Sequence, residues 1–288
     1  MKPSPFVYHA PREIAEATEL LAQLGDDGRV LAGGQSLVPM MAFRVANPAH
    51  LIDINGIAAL DHLGASDSEL VVGALTRHAA FHRPVVAGQL GELLTAVVHH
   101  IAHWPIRTRG TMCGSLAHAD PASEWCLVVA TLDATIVVQS AAGQRAIPAA
   151  DYFHGIMTTA VADGEMVVKV RLPLLGDDYR CGFYEFSRRA GDFAIAMSLT
   201  ALRLADGRIV EARIGLGGVE AQPRRIAAAE DLLRGEAPCD AVFRAAAEAA
   251  AAAADPLEDL QADAAYRQDL TRVVVRRALE RAMGETVA

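Results

Sequence analysis

The chain has few lysines, few aromatic residues and no long apolar segment. Lysine occurs only at Lys2 and Lys169 among 26 basic residues, and neither lies in the GxxxxGKS/T pattern of a P-loop. A conventional P-loop is therefore excluded, and only these two side chains remain for Schiff-base chemistry. No apolar run approaches the roughly 20 residues of a membrane-spanning helix, so no membrane insertion is expected.

The chain also lacks concentrated positive charge and closely spaced cysteines. Its formal net charge is −9 and its basic residues are scattered, which disfavours nucleic acid as a partner. The four cysteines, Cys113, Cys126, Cys181 and Cys239, show no CxxC spacing, which predicts reduced thiols rather than a local zinc or iron–sulfur site. The first residues lack the apolar core of a signal peptide, which favours a cytoplasmic protein, and the hydrophobic content of 52% predicts a folded one.

Hydrophobic periodicity predicts alternating helices and strands up to residue 176. The predicted helices cover residues 12–24, 40–47 and 88–103, and the predicted strands cover residues 30–33, 50–54, 69–76 and 164–174. A helix followed by a strand is predicted within residues 125–140. The small residues of 111–122 fit neither an ordinary strand nor a good helix.

After Gly176 the pattern of predicted elements changes from alternating helices and strands to strands followed by helices. This change predicts two domains, one of residues 1–176 and one of residues 177–288. The second begins with strands, two of which are joined by the hairpin turn Asp206-Gly207. It ends with helices over residues 241–254 and 264–283, which are expected to pack together against the sheet.

The first candidate binding segment is the small-residue turn after the strand at 30–33. It comprises Ala32, Gly33, Gly34, Gln35, Ser36 and Leu37. Without side chains at the two glycines, the backbone can approach a ligand closely, and successive amides in such a turn can bind phosphate. An isolated glycine pair more often marks a tight turn only, so this segment is not diagnostic by itself.

A second small-residue segment runs from Arg109 to Pro121. It contains two hydroxyl side chains, several small residues and an Asp-Pro turn, which suit a diphosphate and a polyol. Two such segments, each beside a strand, can clamp one extended dinucleotide from two sides. Neither contains the GxGxxG motif that opens a βαβ unit, which disfavours a Rossmann site.

Longer segments that include both turns carry a family resemblance. They are AGGQSLVPMMAFRVANPAHLIDI, IRTRGTMCGSLAHADPASEW and RRAGDFAIA, in that order. Together they resemble the FAD-binding medium subunits of the molybdenum hydroxylases, such as bacterial carbon monoxide dehydrogenase and the quinoline and nicotine dehydrogenases. IGLGGVEAQPRR and AAYRQDLTRVVVRRAL are similar to the C-terminal domain of that family, so the resemblance spans essentially the whole chain.

The resemblance implies an α+β fold. A vanillyl-alcohol-oxidase-like FAD domain of two α/β subdomains would be followed by a C-terminal domain of antiparallel sheet and helices. The residues that the resemblance places at FAD are Ala32, Gly33, Gly34, Gln35, Ser36, Leu37, Ile101, Thr111, Cys113, Gly114, Ser115, His118, Asp120, Glu124, Leu172 and Phe193.

The resemblance also implies different roles for these residues. The two small-residue segments would cradle the pyrophosphate, and Glu124 stands where relatives have an acidic residue near the ribityl chain, with Asp120 as a second candidate. The backbone of Leu172 would meet the flavin edge, and Ile101 and Phe193 would lie near the isoalloxazine. His118, within the second segment, is a candidate for a phosphate or ribose contact and equally for a structural hydrogen bond.

Cys113 departs from the family pattern. Many relatives carry TIGGS where this chain has TMCGS, so a cysteine replaces a glycine. A cysteine fits if its φ is negative, whereas a positive φ would introduce strain of about 1–3 kcal/mol and weaken the cradle.

As for function, the resemblance implies the FAD-binding electron-transfer subunit of a heterotrimeric molybdenum hydroxylase. A large molybdopterin subunit would oxidise the substrate, an N-heteroaromatic or CO-like small molecule, and a small subunit with 2Fe–2S clusters would relay the electrons. FAD on this chain would pass them to an external acceptor, so no catalytic residue is assigned here. Two alternatives are a scaffold subunit that has lost FAD, suggested by Cys113, and a self-contained flavin oxidase.

Some polar residues are ambiguous. His99 and His103 stand one helical turn apart, which is metal-ligand spacing, but they lack the adjacent glutamate of an HExxH site, so a surface or interface role is favoured and no metal is expected. Arg107, Arg109 and the arginine pair at 188–189 are either solvated or anchor a partner subunit or an anionic cofactor.

Overall fold

The structure is a computed structural model that describes residues 2–284, and it begins with a small parallel sheet. The strand order is β1-β3-β2, with parallel pairing throughout. Two helices, α1 (Ile14–Leu24) and α2 (Leu37–Ala42), accompany the strands β1 (Val7–His9), β2 (Gly28–Leu31) and β3 (His50–Asp53). Parallel strands end at the same sheet edge, so the turn after β2 and the residues after β3 lie side by side.

A second, antiparallel sheet follows, with the order β4-β5-β10-β6-β7. Its strands are β4 (Leu63–Ala65), β5 (Glu69–Gly73), β6 (Thr135–Ser140), β7 (Gly143–Pro148) and β10 (Met166–Pro173), and the pair β8 (Phe153–Gly155) and β9 (Thr158–Thr159) forms a separate ribbon. Its helices are α3 (Gly88–Val98), α4 (Trp104–Arg107), α5 (Met112–His118) and α6 (Glu124–Thr131).

The last part of the described chain is a third sheet with helices. The strands β11 (Tyr179–Phe186), β12 (Ala196–Ala205), β13 (Arg208–Gly217) and β14 (Arg224–Arg225) pair antiparallel in chain order. The helices are α7 (Ala227–Leu233), α8 (Asp240–Ala253) and α9 (Ala264–Ala282). As predicted, Asp206 and Gly207 form the β12–β13 hairpin, both with positive φ, and α8 packs on α9, which covers β11 and β12.

Two apolar cores hold these layers together. The larger is built on the second sheet and α3, α5 and α6, with Trp125 fully buried, and it includes Phe183 of β11 and Leu199 of β12. The smaller joins the third sheet to α7, α8 and α9. The larger core therefore packs the third sheet against the first half of the chain, and the α+β fold expected from the sequence is confirmed.

Three predicted elements need correction. The helix predicted over 88–103 ends at Val98, because Ala102 takes a left-handed conformation and Pro105 already lies in the next helix. The helix predicted over 40–47 is α2 (Leu37–Ala42). Residues 111–122 do contain a helix, α5, although its composition argued against one.

The physical reason for α5 lies in its cap and its buried face. Thr111 is the N-cap, and its Oγ1 accepts a hydrogen bond from the Gly114 N–H at 3.0 Å. Met112, Cys113 and Leu116 are buried in the larger core. The cap and this burial outweigh the low helix propensity of the segment.

No helix of residues 2–284 is both long and apolar enough to cross a membrane.

Candidate functional site

The two small-residue loops, 32–37 and 109–115, are in direct backbone contact. A Cβ atom added at Gly33 would lie 2.2 Å from the Arg109 carbonyl oxygen and 2.7 Å from the Gly110 Cα. A Cβ added at Gly110 would in turn lie 2.5 Å from Nε2 of His78. Only glycine allows this approach, so the sequence brings the two loops together at these positions.

A cleft of about 360 Å³ opens beside this contact. It is lined by Leu31, Ala32, Gly33, Gly34, Gln35, Val38, Pro39, Asp53, Asn55 and Arg109. Gly34 has a φ of +70°, and the backbone N–H groups of Gly34, Gln35 and Ser36 find no acceptor within the described part of the chain. Open N–H groups in a concave turn suit an anionic ligand.

Two side chains brace the loops against each other. Asn55 donates from Nδ2 to the Ala32 carbonyl oxygen at 2.8 Å. Arg77 donates from Nη2 to Oδ1 of Asn55 at 2.5 Å, and from Nη1 to the Arg109 carbonyl oxygen at 2.6 Å. This chain of hydrogen bonds runs from the first loop to the second and fixes the width of the cleft.

Asp53 contributes a carboxylate to the cleft. It accepts hydrogen bonds from the Tyr8 hydroxyl and, at 2.9 Å, from the Asn55 N–H. Partial burial favours the neutral acid, but these hydrogen bonds outweigh it and hold the pKa of Asp53 below its ordinary value. Asp53 is therefore ionised at neutral pH and suits hydroxyl donors of a ligand rather than its phosphates.

His78 supports the second loop from behind. Its backbone N–H donates to the Gly110 carbonyl oxygen at 2.9 Å, and its Nδ1 accepts from Nε1 of Trp125 at 2.9 Å. Burial, together with the charges of Arg77 and Arg107, lowers the pKa of His78 to about 3. The ring is therefore neutral and serves as a hydrogen-bonded spacer.

Cys113 lies inside α5, outside the left-handed region. Its thiol is buried and donates to the Val72 carbonyl oxygen at 3.7 Å, and burial raises its pKa to about 12. Replacing the family glycine by cysteine therefore introduces no backbone strain, and the side chain packs into the core.

Of the other sequence-predicted residues, only four line the cleft. Ala32, Gly33, Gly34 and Gln35 line it directly, whereas Leu172 is fully buried within β10. His118 and Asp120 are half-buried at and just after the end of α5, and Asp120 accepts the Ala122 N–H at 2.9 Å.

The segment that contains Ile101 lies against the turn that contains Phe193. A Cβ at Gly191 would lie 2.4 Å from the His103 ring, so the turn approaches His103 closely. Phe193 is 66% exposed and Trp104 is 55% exposed, so each of the two adjoining segments carries a large exposed apolar side chain.

The ambiguous polar residues now have defined contacts. Arg107 donates from Nη1 to the carbonyl oxygens of Ile101 and Ala102, which fixes the loop before α4. The His82 ring packs edge-on against His99, and no group of three potential metal ligands is found among residues 2–284.

Sequence reasoning missed Asp53, Asn55, Arg77 and His78. Asn55 falls just after the strand predicted over residues 50–54, and Arg77 and His78 lie between predicted elements with no motif around them. A polar residue directly after a parallel strand, beside the glycine turn of the neighbouring strand, is the signal that would have indicated Asn55.

Comparison with known proteins identifies the family of the chain. Residues 4–175 match the family described as the FAD binding domain in molybdopterin dehydrogenase, and residues 182–282 match the CO dehydrogenase flavoprotein C-terminal domain. The chain is 38% identical to the 6-hydroxypseudooxynicotine dehydrogenase complex subunit alpha of Paenarthrobacter nicotinovorans, over 98% of this chain and 96% of that protein. It is 37% identical to the nicotine 6-hydroxylase medium subunit of the same organism, over 97% and 98%.

Two solved structures have the same fold as this chain. Carbon monoxide dehydrogenase from Hydrogenophaga pseudoflava superposes with a TM-score of 0.95 at 37% identity, covering 99% of each chain. Quinoline 2-oxidoreductase from Pseudomonas putida 86 superposes with a TM-score of 0.93 at 36% identity, also covering 99% of each chain.

Proposed function

Because the chain belongs to the family of FAD-binding medium subunits of molybdenum hydroxylase-type dehydrogenases, we propose that it transfers electrons within a heteromeric complex. In this proposal a large molybdopterin subunit oxidises an N-heteroaromatic or CO-like small molecule, and a small subunit with 2Fe–2S clusters relays the electrons to this chain. Bound FAD supplies the redox chemistry and hands the electrons to an external acceptor. The residues of this chain bind the cofactor, orient it and shield it.

One observation carries the proposal, namely the contact of Gly33 with Arg109 and Gly110 beside a row of open backbone N–H groups. An added Cβ at Gly33 would force the two loops apart, and the open donors suit a pyrophosphate. We assign loop residues 32–37 and 111–115 to the pyrophosphate, and Asp53 to a hydroxyl group of the cofactor. Glu124, Asp120 and His118 remain candidates for the ribityl chain and its surroundings.

We further propose that the small subunit docks where Trp104 and Phe193 are exposed. Both side chains are large, apolar and more than half exposed, and the Gly191 turn joins the segments that carry them. Such a patch beside the flavin would let electrons enter over a short path. Ile101, the Leu172 backbone and Phe193 are then the proposed neighbours of the isoalloxazine.

A domain boundary between Gly176 and Asp177 is also part of the proposal. Its support is that the two family matches end at residue 175 and begin at residue 182. Because the larger core includes Phe183 and Leu199, the C-terminal domain would pack on the FAD domain rather than move independently.

The spectrum of the purified chain is the direct test. We expect a yellow protein with about one noncovalent FAD per chain, released as FAD rather than FMN on denaturation. A colourless preparation that takes up no added FAD would refute FAD binding.

Assembly requires a second measurement. Co-expressed with molybdopterin and iron–sulfur partners, the chain should co-purify with them, and substrate should bleach its flavin absorbance. Bleaching of the isolated chain by substrate would instead favour a self-contained oxidase. The scaffold alternative loses its one support, because Cys113 introduces no strain.

A further inference from the structure

One arginine of the last helix is buried. Arg267, on α9, is 3% exposed, and it is the only buried arginine among residues 2–284. A guanidinium at this depth is costly unless hydrogen bonds and an opposite charge compensate it. Because an apolar residue often replaces a buried ion pair without loss of stability, the contacts of Arg267 indicate what its charge is needed for.

The guanidinium of Arg267 joins two backbone segments. Its Nη1 donates to the carbonyl oxygens of Ile195 and Gly218, each at 2.6 Å. Ile195 lies between the turn that contains Phe193 and the start of β12, and Gly218 directly follows β13. Its Nη2 donates to Oδ2 of Asp259 at 2.7 Å, which supplies the opposite charge. Arg267 therefore holds the start of β12 beside the end of β13.

Gly218 continues this connection to the end of the second small-residue segment, residues 109–121. Its N–H donates to the Pro121 carbonyl oxygen at 2.8 Å. Gly218 has a φ of +73°, and a Cβ added there would lie 3.2 Å from the Ala194 carbonyl oxygen, so glycine is required for this close approach. A chain of hydrogen bonds thus runs from α9 through Gly218 to the residue that follows Asp120.

The packing of α6 on β13 makes the same connection stiff. A Cβ added at Gly215 would lie 1.8 Å from Oγ1 of Thr131, and one added at Gly217 would lie 3.4 Å from Cβ of Leu127. The helix that begins three residues after Pro121 therefore lies directly on the strand that leads to Gly218. Because no gap separates them, a shift at the end of β13 is passed on to the start of α6.

We propose that Arg267 is a positioning residue for the flavin end of the FAD site. By joining Ile195 to Gly218, it fixes the turn that contains Phe193 relative to the segment that contains Asp120. This inference rests on the proposed function, which places Asp120 near the ribityl chain and Phe193 near the isoalloxazine.

The pyrophosphate end of the site lies outside this network. Within the described chain, no residue that lines the cleft hydrogen-bonds to Arg267, Ile195 or Gly218. The cleft is braced separately, by Asn55 and Arg77. Loss of the Arg267 contacts should therefore disturb the flavin end of the cofactor and leave the pyrophosphate end intact.

Binding of FAD and of ADP to the full-length chain separates the two ends. ADP carries a pyrophosphate but no ribityl chain and no isoalloxazine, so it probes the cleft alone. The first test variant is Arg267→Met, which keeps a long unbranched side chain but removes every donor. The second is Gly218→Ala, which adds a Cβ at a positive φ in the middle of the connection and tests it independently if Arg267→Met does not fold.

Each test variant has a matched control. Arg272→Met changes an arginine of the same helix whose partners, Glu248 and Asp269, are exposed. Gly235→Ala introduces an alanine at a φ of +87°, where an added Cβ meets nothing within 4 Å. Thermal unfolding identifies the variants that fold.

The test variants should lose FAD affinity but not ADP affinity. FAD binding by Arg267→Met and Gly218→Ala should weaken by about tenfold or more, whereas ADP binding should stay within about threefold of wild type. Both controls should bind both ligands as wild type does. Equal losses of FAD and ADP affinity would overturn the proposal, because they would indicate a general loss of structure.

Visible circular dichroism of the bound flavin is a readout that lower stability alone would not change. At saturating FAD, the spectrum should differ from that of wild type in the two test variants and not in the two controls. A wild-type chain that binds neither FAD nor ADP would refute the proposed function together with this inference. Unchanged FAD affinity and an unchanged spectrum in the test variants, beside a wild type that binds FAD, would refute the inference alone.

Discussion

Arg77 and Asn55 are joined by a hydrogen bond from Nη2 to Oδ1 at 2.5 Å, although they lie 22 residues apart in the chain. Asn55 also holds the Ala32 carbonyl oxygen, and Arg77 also holds that of Arg109. The pair therefore sets the distance between the two loops that form the cleft. Neither side chain needs to touch a ligand to control its binding.

Removing this brace should weaken cofactor binding. We expect Arg77→Ala and Asn55→Ala each to destabilise the chain by about 1–3 kcal/mol, since each leaves a buried or half-buried polar partner unsatisfied. FAD affinity should fall in both variants. In a double-mutant cycle measured by denaturant unfolding, the two changes should be non-additive by about 1 kcal/mol or more.

Arg145→Ala is the control for that cycle. Arg145, on β7 at an edge of the second sheet, pairs with Glu165, and it does not line the cleft. FAD affinity should be unchanged in this variant. Fully additive effects of Arg77→Ala and Asn55→Ala would show that the brace does not act as a unit.

The loop contact can be tested with a single methyl group. Gly33→Ala would place a Cβ 2.2 Å from the Arg109 carbonyl oxygen, so the loops must separate and FAD retention should be lost. Gly64→Ala is a matched control, because an added Cβ there meets nothing within 4 Å. Flavin content after gel filtration measures both, and a fully loaded Gly33→Ala protein would exclude the first loop from the site.

Cys113→Gly restores the family pattern but should not improve the site. Cys113 is buried in a helix, so glycine should cost about 1–2 kcal/mol through lost packing and lower helix propensity. Urea unfolding should show this loss, while FAD affinity should stay within about twofold of wild type because the thiol points into the core. A clear gain in affinity would mean that the cysteine impairs the cradle.

The sequence predicted the two loops but not the residues that hold them. Consecutive glycines and small residues are a local signal, and they indicated the positions where backbones meet. Asn55 and Arg77 carry no local signal, because their partners lie 23 and 32 residues away. Such a brace becomes visible only when the strand order of the first sheet is known.

Composition also misled the prediction for α5, whose glycine and serine are poor helix formers. Threonine is nevertheless a good N-cap, and the buried face of Met112 and Leu116 holds the helix in place.

His78 should make the folded chain sensitive to acid. The pKa of His78 is lowered from 6.5 to about 3 in the folded state. Between pH 6.5 and 3 the unfolded state therefore binds a proton on His78, whereas the folded state does not. The contribution of His78 to stability is thus present above pH 6.5 and is lost as the pH falls towards 3. The loss is at most about 1.4 kcal/mol per pH unit.

His78→Gln isolates this effect, because glutamine keeps an acceptor for Trp125 but does not titrate. The unfolding free energy of the variant should fall less steeply with acid than that of wild type. His154→Gln, at an exposed position, should retain the wild-type slope. Burial raises the pKa values of Glu124 and Glu185, which changes the stability with pH in the opposite direction. The comparison between variants, rather than the wild-type slope alone, therefore tests His78.

The exposed pair Trp104 and Phe193 should matter for assembly rather than for folding. Phe193→Ser removes an apolar group that is 66% exposed, so the stability of the isolated chain should change by less than about 0.5 kcal/mol. If the small subunit docks here, affinity for that subunit should fall about tenfold or more, as for a large aromatic at an interface centre. Leu232→Ser is the control, since Leu232 is 47% exposed on α7, a helix that packs on α8 and β13. Pull-down with the co-expressed small subunit should retain the Leu232 variant and lose the Phe193 variant, and equal retention of both would place the docking surface elsewhere.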